Sequence, residues 1–279
     1  MNRRLVVLIL YFLGIIQFAK SQDLFNYDNS FRYAKHLYAK GDYDDAITEL
    51  NRCIFLSAEN GKKEVLEMLL TSYRKTGKYA EILKASKKLY PEGNYPDQIK
   101  TEMHYSFILS NELHFGGHFL SNNKFSSSLL QVKFDVAYNV FENQYQEALN
   151  RLNQFNPTTD EGRLFNQKVS VMLNEASNIK YKSPFVAGVF SSIIPGSGKF
   201  YANRKKDAIF SFVLTVAAAY QSYRAFNKNG IGSVIGWVYG GLAGGFYIGN
   251  IYGSVQAAKK TNQFVNDKYH DQIRTVIGL

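Results

Sequence analysis

Residues 232–253 read GSVIGWVYGGLAGGFYIGNIYG, with Gly232, Gly236, Gly240 and Gly244 in steps of four and then, one residue out of phase, Gly245, Gly249 and Gly253. Steps of four put one glycine on each successive turn of a single helix face. In water each would weaken a helix by about 1 kcal/mol relative to alanine. In a bilayer the backbone has only its own hydrogen bonds to make, and glycine lets a second helix come very close. The residues between, among them Val234, Ile235, Trp237, Val238, Leu242, Phe246, Ile248 and Ile251, suit a lipid-facing surface. The seven glycines are therefore expected to pack helix against helix in a membrane domain.

Two apolar segments precede this one. Pro184 to Ile194 ends in Pro195-Gly196-Ser197-Gly198, Ala208 to Phe226 comes second, and the third segment runs from Ile231 to Ala258. Asn227-Lys228-Asn229-Gly230 reads as a tight turn that makes the second and third antiparallel neighbours. The second offers a matching row of small residues, Ser211, Thr215, Ala218, Ala219 and Ser222. The basic cluster Lys199, Arg204, Lys205, Lys206 and the pair Lys259-Lys260 prefer the cytoplasmic side, which favours three crossings over two.

Charge is unevenly placed along the 279 residues. Residues 22–181 hold 19 basic and 20 acidic groups, whereas residues 182–279 hold 11 basic and three acidic. The excess flanks apolar segments instead of forming a basic face interleaved with aromatics, which argues against nucleic acid. At the N-terminus, Arg3 and Arg4 precede the apolar run Leu5 to Ile16, and Ala19-Lys20-Ser21 offers a cleavage site before Gln22. Residues 1–21 thus read as a secretory signal, so the segment from Gln22 onward is expected to leave the cytoplasm. One cysteine, Cys53, falls in an apolar helical run and reads as a buried structural thiol.

Between these ends the apolar spacing is helical and recurs. Phe31, Ala34, Leu37 and Tyr38 lead to Gly41-Asp42-Tyr43, then Ala46, Ile47 and Leu50. Leu69, Leu70 and Tyr73 lead likewise to Gly77-Lys78-Tyr79, 36 residues on, and Val136 to Val140 lead to Asn143-Gln144-Tyr145. The unit skipped, around Tyr105 to Leu113, looks degenerate. Ala34, Gly41, Tyr43 and Ala46, with Gly77 and Tyr79, resemble the tetratricopeptide-repeat superfamily over about residues 28–180. The resemblance implies a curved array of helical hairpins that binds a protein or peptide partner on its concave face. Pro195, Gly196, Gly198 and Tyr201 form a P-G-x-G-x-x-Y phrase similar to the glycine-rich membrane module of bacterial, Bacteroidetes-like envelope proteins. That resemblance covers about residues 183–262 and implies membrane residence.

Apparent chemical motifs do not hold up. In a phosphate loop around Gly198-Lys199, the positions for the first glycine and the hydroxyl are Ile193 and Phe200. His114 and His118 are four apart, but Gly116 and Gly117 lie between them and are expected to break the helix a metal pair would need. Asp42, Asp44, Asp45 and Glu49 follow the repeat period on a solvated face. No catalytic, cofactor or metal site is expected, so the chain reads as a non-enzyme. The expected fold is all-α: a signal at 1–21, a tetratricopeptide-like array at 22–180, a glycine-rich transmembrane module at 181–262 and a short tail at 263–279. The expected function is an envelope scaffold held at the membrane, with the array outside the cytoplasm. The alternative is a membrane-active or pore-like homo-oligomer built on the glycine ladder.

Overall fold

The computed structural model describes residues 26–57 and 62–279, and every regular element among them is an α-helix. The signal-like segment 1–21 lies outside the described residues. The chain divides into two compact units after Ser127. The first holds α1 (Tyr27–Lys40), α2 (Tyr43–Leu56), α3 (Lys62–Lys75), α4 (Tyr79–Leu89), α5 (Asp97–Leu109) and α6 (Leu113–Asn122). The second holds α7 (Ser128–Phe141), α8 (Tyr145–Asn153), α9 (Asp160–Ser177), α10 (Pro184–Ile193), α11 (Ser197–Tyr201), α12 (Lys205–Asn229) and α13 (Val234–Ile277). The expected boundary at 180/181 falls inside the second unit, between α9 and α10, both of which pack on α13.

One turn geometry builds the hairpins. Gly41 adopts φ +88°, its N–H donates to Tyr38 O at 3.1 Å, and the Asp42 N–H donates to Leu37 O at 3.0 Å. This pair of bonds satisfies carbonyls that the helix end would leave open, and it needs a left-handed residue after the helix. Gly77, Asn111, Asn143 and Asn203 repeat it with φ of 73°, 61°, 61° and 63°. Glycine meets this demand without strain, and asparagine is the side chain that tolerates it best. Gly41→Ala is therefore expected to lower stability by about 1 kcal/mol, while Gly41→Asn stays close to wild type. Thermal unfolding of the two variants checks this.

The first four of these turns succeed one another at 36, 34 and 32 residues. Seven residues before each lie Ala34, Leu70, His104 and Val136, all fully buried. Five after each lie Ala46, Ile82, Gly116 and Ala148, again buried. The unit around Tyr105 to Leu113 is thus a complete hairpin, α5–α6, and not a degenerate one. It escapes the glycine pattern because Asn111 takes the left-handed position and His104 the core position. Gly116 and Gly117 also fail to break α6, since its neighbouring turns hold the backbone and Gly116 is buried in the packing.

In the first unit α3 is the shared wall. Val65 and Leu69 join a core with Ala34, Leu37, Leu50 and Cys53. Leu66 and Leu70, on the adjacent face, join Ile82, Ile99, Met103 and Phe107. The Arg74 guanidinium donates to the Glu102 carboxylate at 2.8 Å and ties α3 to α5. In the second unit α13 is 44 residues long, about 66 Å. Residues 263–279, expected as a tail, continue that helix to Ile277. Tyr269, Ile273 and Ile277 are buried, at a spacing of four that faces one side. Asn266 Oδ1 accepts from the hydroxyls of Tyr145 (3.1 Å) and Tyr181 (2.6 Å). The end of α13 therefore closes the α7–α9 layer.

Candidate functional site

The P-G-x-G-x-x-Y phrase forms the junction where α10, α11, α12 and α13 meet. Gly196 caps α11 with φ +89°, and a Cβ there would overlap the Ala208 carbonyl. A Cβ on Gly198 would overlap the carbonyl oxygen of Ala187. These glycines are thus fixed by close backbone approach, which no other residue permits. The Gly198 N–H donates to Ser191 Oγ at 3.0 Å, and Ser191 Oγ lies 2.6 Å from Ser254 Oγ on α13, all buried. The Tyr201 hydroxyl accepts from the Ser183 N–H at 3.1 Å, while its ring meets Phe190 edge-on at 5.5 Å. Pro195 sits half-buried at the outer side of this junction.

Alongside lies a short polar chain. Lys199 Nζ donates to Ser211 Oγ at 2.5 Å. Asn250 Nδ2 donates to Ser211 O and to Thr215 Oγ1, each at 3.2 Å. A Cβ on Gly253 would stand 3.1 Å from Lys199 Cε, so that glycine makes room for the lysine stem.

Only part of the glycine ladder faces α12. A Cβ on Gly236 would meet the Phe226 ring at 2.6 Å, and one on Gly240 would meet Ser222 Oγ at 3.1 Å. Ser222 Oγ also donates to Gly236 O at 2.8 Å. Thr215, Ala218 and Ser222 are buried on the facing side of α12, while Ala219 is exposed. Gly232, Gly244, Gly245 and Gly249 face open space. The turn joining the two helices falls at 230–233, after α12 has run through Asn227 to Asn229.

Of the 32 large apolar side chains that are exposed among the described residues, 24 lie between Phe185 and Tyr252. They form an outward belt on α10 to α13 that includes Phe185, Ile209, Phe210, Val234, Trp237 and Ile248. Soluble monomers rarely leave contiguous apolar surface of this kind uncovered. Yet no helix among the described residues is long and apolar enough to cross a membrane. α12 and α13 have the length, so the transmembrane expectation fails on polarity: Gln221, Ser222 and Arg224 interrupt α12, and the glycines, tyrosines and Asn250 dilute α13. α10, at 10 residues or about 15 Å, reaches half of a bilayer core of about 30 Å.

In the first unit, Gly41 and Gly77 are turn residues, Tyr43 packs edge-on against Tyr38 at 5.5 Å, and Tyr79 packs on the second core. Lys78 Nζ reaches Asp44 at 2.6 Å and links successive turns. A groove of about 570 Å3 on α1 and α2 is lined by Asn29, Arg32, Tyr33, His36, Glu49 and Arg52. Cys53 is buried. His114 and His118 share α6, with His118 Nε2 3.3 Å from Asn122 Nδ2. No group of three His, Cys, Asp or Glu side chains among the described residues could hold a metal ion.

Sequence reading missed Ser191, Ser254, Lys199 and Asn250 as an interior polar set, because isolated polar residues in apolar segments carry no periodic signal. The closing helix was within reach, since Tyr269, Ile273 and Ile277 repeat every four residues. No family model, no curated protein and no solved structure matches the chain.

Proposed function

We propose that the chain is a non-enzymatic scaffold of a bacterial cell envelope. Its α10–α13 module holds it in lipid, and its tetratricopeptide-like hairpins take a protein or peptide partner outside the cytoplasm. The single observation that carries this reading is the exposed apolar belt, which water disfavours at about 25 cal/mol per Å2 and which lipid would cover. The groove on α1 and α2, where Arg32, His36 and Arg52 stand with Glu49 around a mainly apolar lining, supports the partner half of the reading. Repeat scaffolds of this kind bind through such side chains without chemistry of their own.

A salt wash of membranes from cells producing the full chain tests the tether. Exposed charges are screened within about 3 Å at 1 M salt, so attachment through Lys199 to Lys206 alone would be lost. Retention in the membrane fraction through 1 M salt and alkaline carbonate is the expected outcome, and release by salt alone contradicts it. A second reading, a homo-oligomer joined through the glycine ladder, draws on the open faces of Gly244, Gly245 and Gly249. It predicts that Gly245→Leu converts a larger assembly to single chains in crosslinking, while the tethered monomer predicts no change.

A further inference from the structure

Beside the P-G-x-G-x-x-Y junction lies a second feature, an apolar groove of about 270 Å3 walled by Ile194, Pro195, Phe200, Ile209 and Phe212. Its volume falls below the roughly 300–1,000 Å3 of pockets that hold drug-sized molecules, and suits one hydrocarbon chain better than a helix. At one rim Lys205 stands by the Phe200 wall, with Arg204 and Lys206 as its sequence neighbours, all three exposed. Lys205 Nζ lies 5.9 Å from the centroid of the Phe200 ring, so the cationic end and the apolar wall are continuous. The 25-residue α12 begins at the same rim, which adds the positive end of its dipole. Between residues 182 and 266 the only acidic residue is Asp207. A ligand that completes both parts has a hydrocarbon chain joined to a compact anion.

We propose that this corner is a binding site for an anionic glycerophospholipid, with one acyl chain in the groove and its phosphate held by Arg204, Lys205 and Lys206. The inference rests on the membrane reading above and adds a lipid class to it. Free phosphate would use the cations and leave the groove unfilled. A zwitterionic lipid would fill the groove but set its own ammonium against three cations.

Native mass spectrometry of the full chain in mild detergent tests the site, with dioleoylphosphatidylglycerol, dioleoylphosphatidylcholine and inorganic phosphate as probes. The phosphatidylglycerol adduct should be retained at least tenfold better than the phosphatidylcholine adduct and should survive millimolar phosphate. Arg204→Gln/Lys205→Gln/Lys206→Gln should weaken it about a hundredfold, at roughly fivefold per cation, and Lys205→Arg/Lys206→Arg should preserve it. Ile209→Trp fills the groove from an exposed position, keeps every charge, and should weaken binding at least tenfold. Binding unchanged by Ile209→Trp, or displaced by inorganic phosphate, would overturn the site in favour of charge alone. Equal retention of both lipids, or retention of neither, would overturn the site and leave the membrane reading to the salt and carbonate wash.

Discussion

Replacing Gly198 with alanine is expected to prevent the α10–α13 module from assembling. The added methyl group would occupy the space of the Ala187 carbonyl oxygen, and Ala187 is itself fully buried. Neither partner is the free end of a side chain, so relief requires moving α10 away from α11. That movement breaks the bond from Gly198 N–H to Ser191 Oγ and pulls Ser191 off Ser254. Overpacking combined with a lost buried hydrogen bond places the cost at about 4 kcal/mol or more. Gly244→Ala is the contrast, because nothing lies within 4 Å of its added carbon and the helix gains propensity. Thermal unfolding of the full chain in detergent should show Gly198→Ala unfolded or strongly destabilised and Gly244→Ala unchanged or improved. A wild-type transition for Gly198→Ala would contradict the close approach.

The second large effect is a loss of stability of the first unit on acidification below neutral pH. His104 is fully buried among the rings of Phe107, Phe119 and Phe125, with centroids 5.3 to 6.3 Å away. Burial, with a smaller push from the Lys100 charge, lowers its pKa from 6.5 to about 3. Between those values the unfolded chain binds a proton that the folded chain refuses. Stability from this residue is thus complete above about pH 6.5 and falls as pH drops toward 3. At about 1.4 kcal/mol per unit, pH 5 should cost the first unit roughly 2 kcal/mol. Asp97 is lowered too: burial opposes this, but its carboxylate accepts from the Ser126 and Ser127 N–H groups, each at 3.1 Å, and from Lys100. Its contribution is lost only below about pH 4, and so is intact at pH 5. His270 in the second unit is lowered by burial and acts in the same direction as His104. The informative comparison is therefore urea unfolding of wild type and His104→Leu at pH 7.5 and pH 5. The variant should start less stable and lose about 2 kcal/mol less between the two pH values; equal losses would contradict the assignment.

Much of the architecture was legible because turns and cores leave periodic marks. Gly41 and Gly77 announced their hairpins, and Val136 to Leu152 announced another. Asn111 hid its hairpin because asparagine can take the left-handed turn without the glycine that sequence reading looks for. The glycine ladder lies on α13, which pairs with α12, and two of its members, Gly236 and Gly240, stand against Phe226 and Ser222. It did not reveal that Gly244, Gly245 and Gly249 face outward, since a helix that drifts relative to its partner keeps only part of a four-residue stripe in contact. The P-G-x-G-x-x-Y phrase was visible as a motif, but its purpose was not. Its glycines answer backbone atoms at Ala187 and Ala208, which no local pattern can indicate. The crossing count was read from the basic clusters at 199–206 and 259–260, whereas the length and apolarity of each helix decide whether it can cross, and interior polar residues such as Asn250 lower that apolarity.

If the belt on α10–α13 lies in lipid, the chain carries its own probe of that placement. Trp237 is the only tryptophan and sits exposed within the belt, with its indole N–H donating to Ile231 O at 2.9 Å. The full chain is reconstituted into phosphatidylcholine vesicles with and without brominated acyl chains, and its fluorescence is then challenged with aqueous iodide. The expected result is blue-shifted emission that brominated chains quench strongly and iodide barely touches. Emission that iodide quenches and brominated chains leave intact would contradict it and place the belt outside the bilayer.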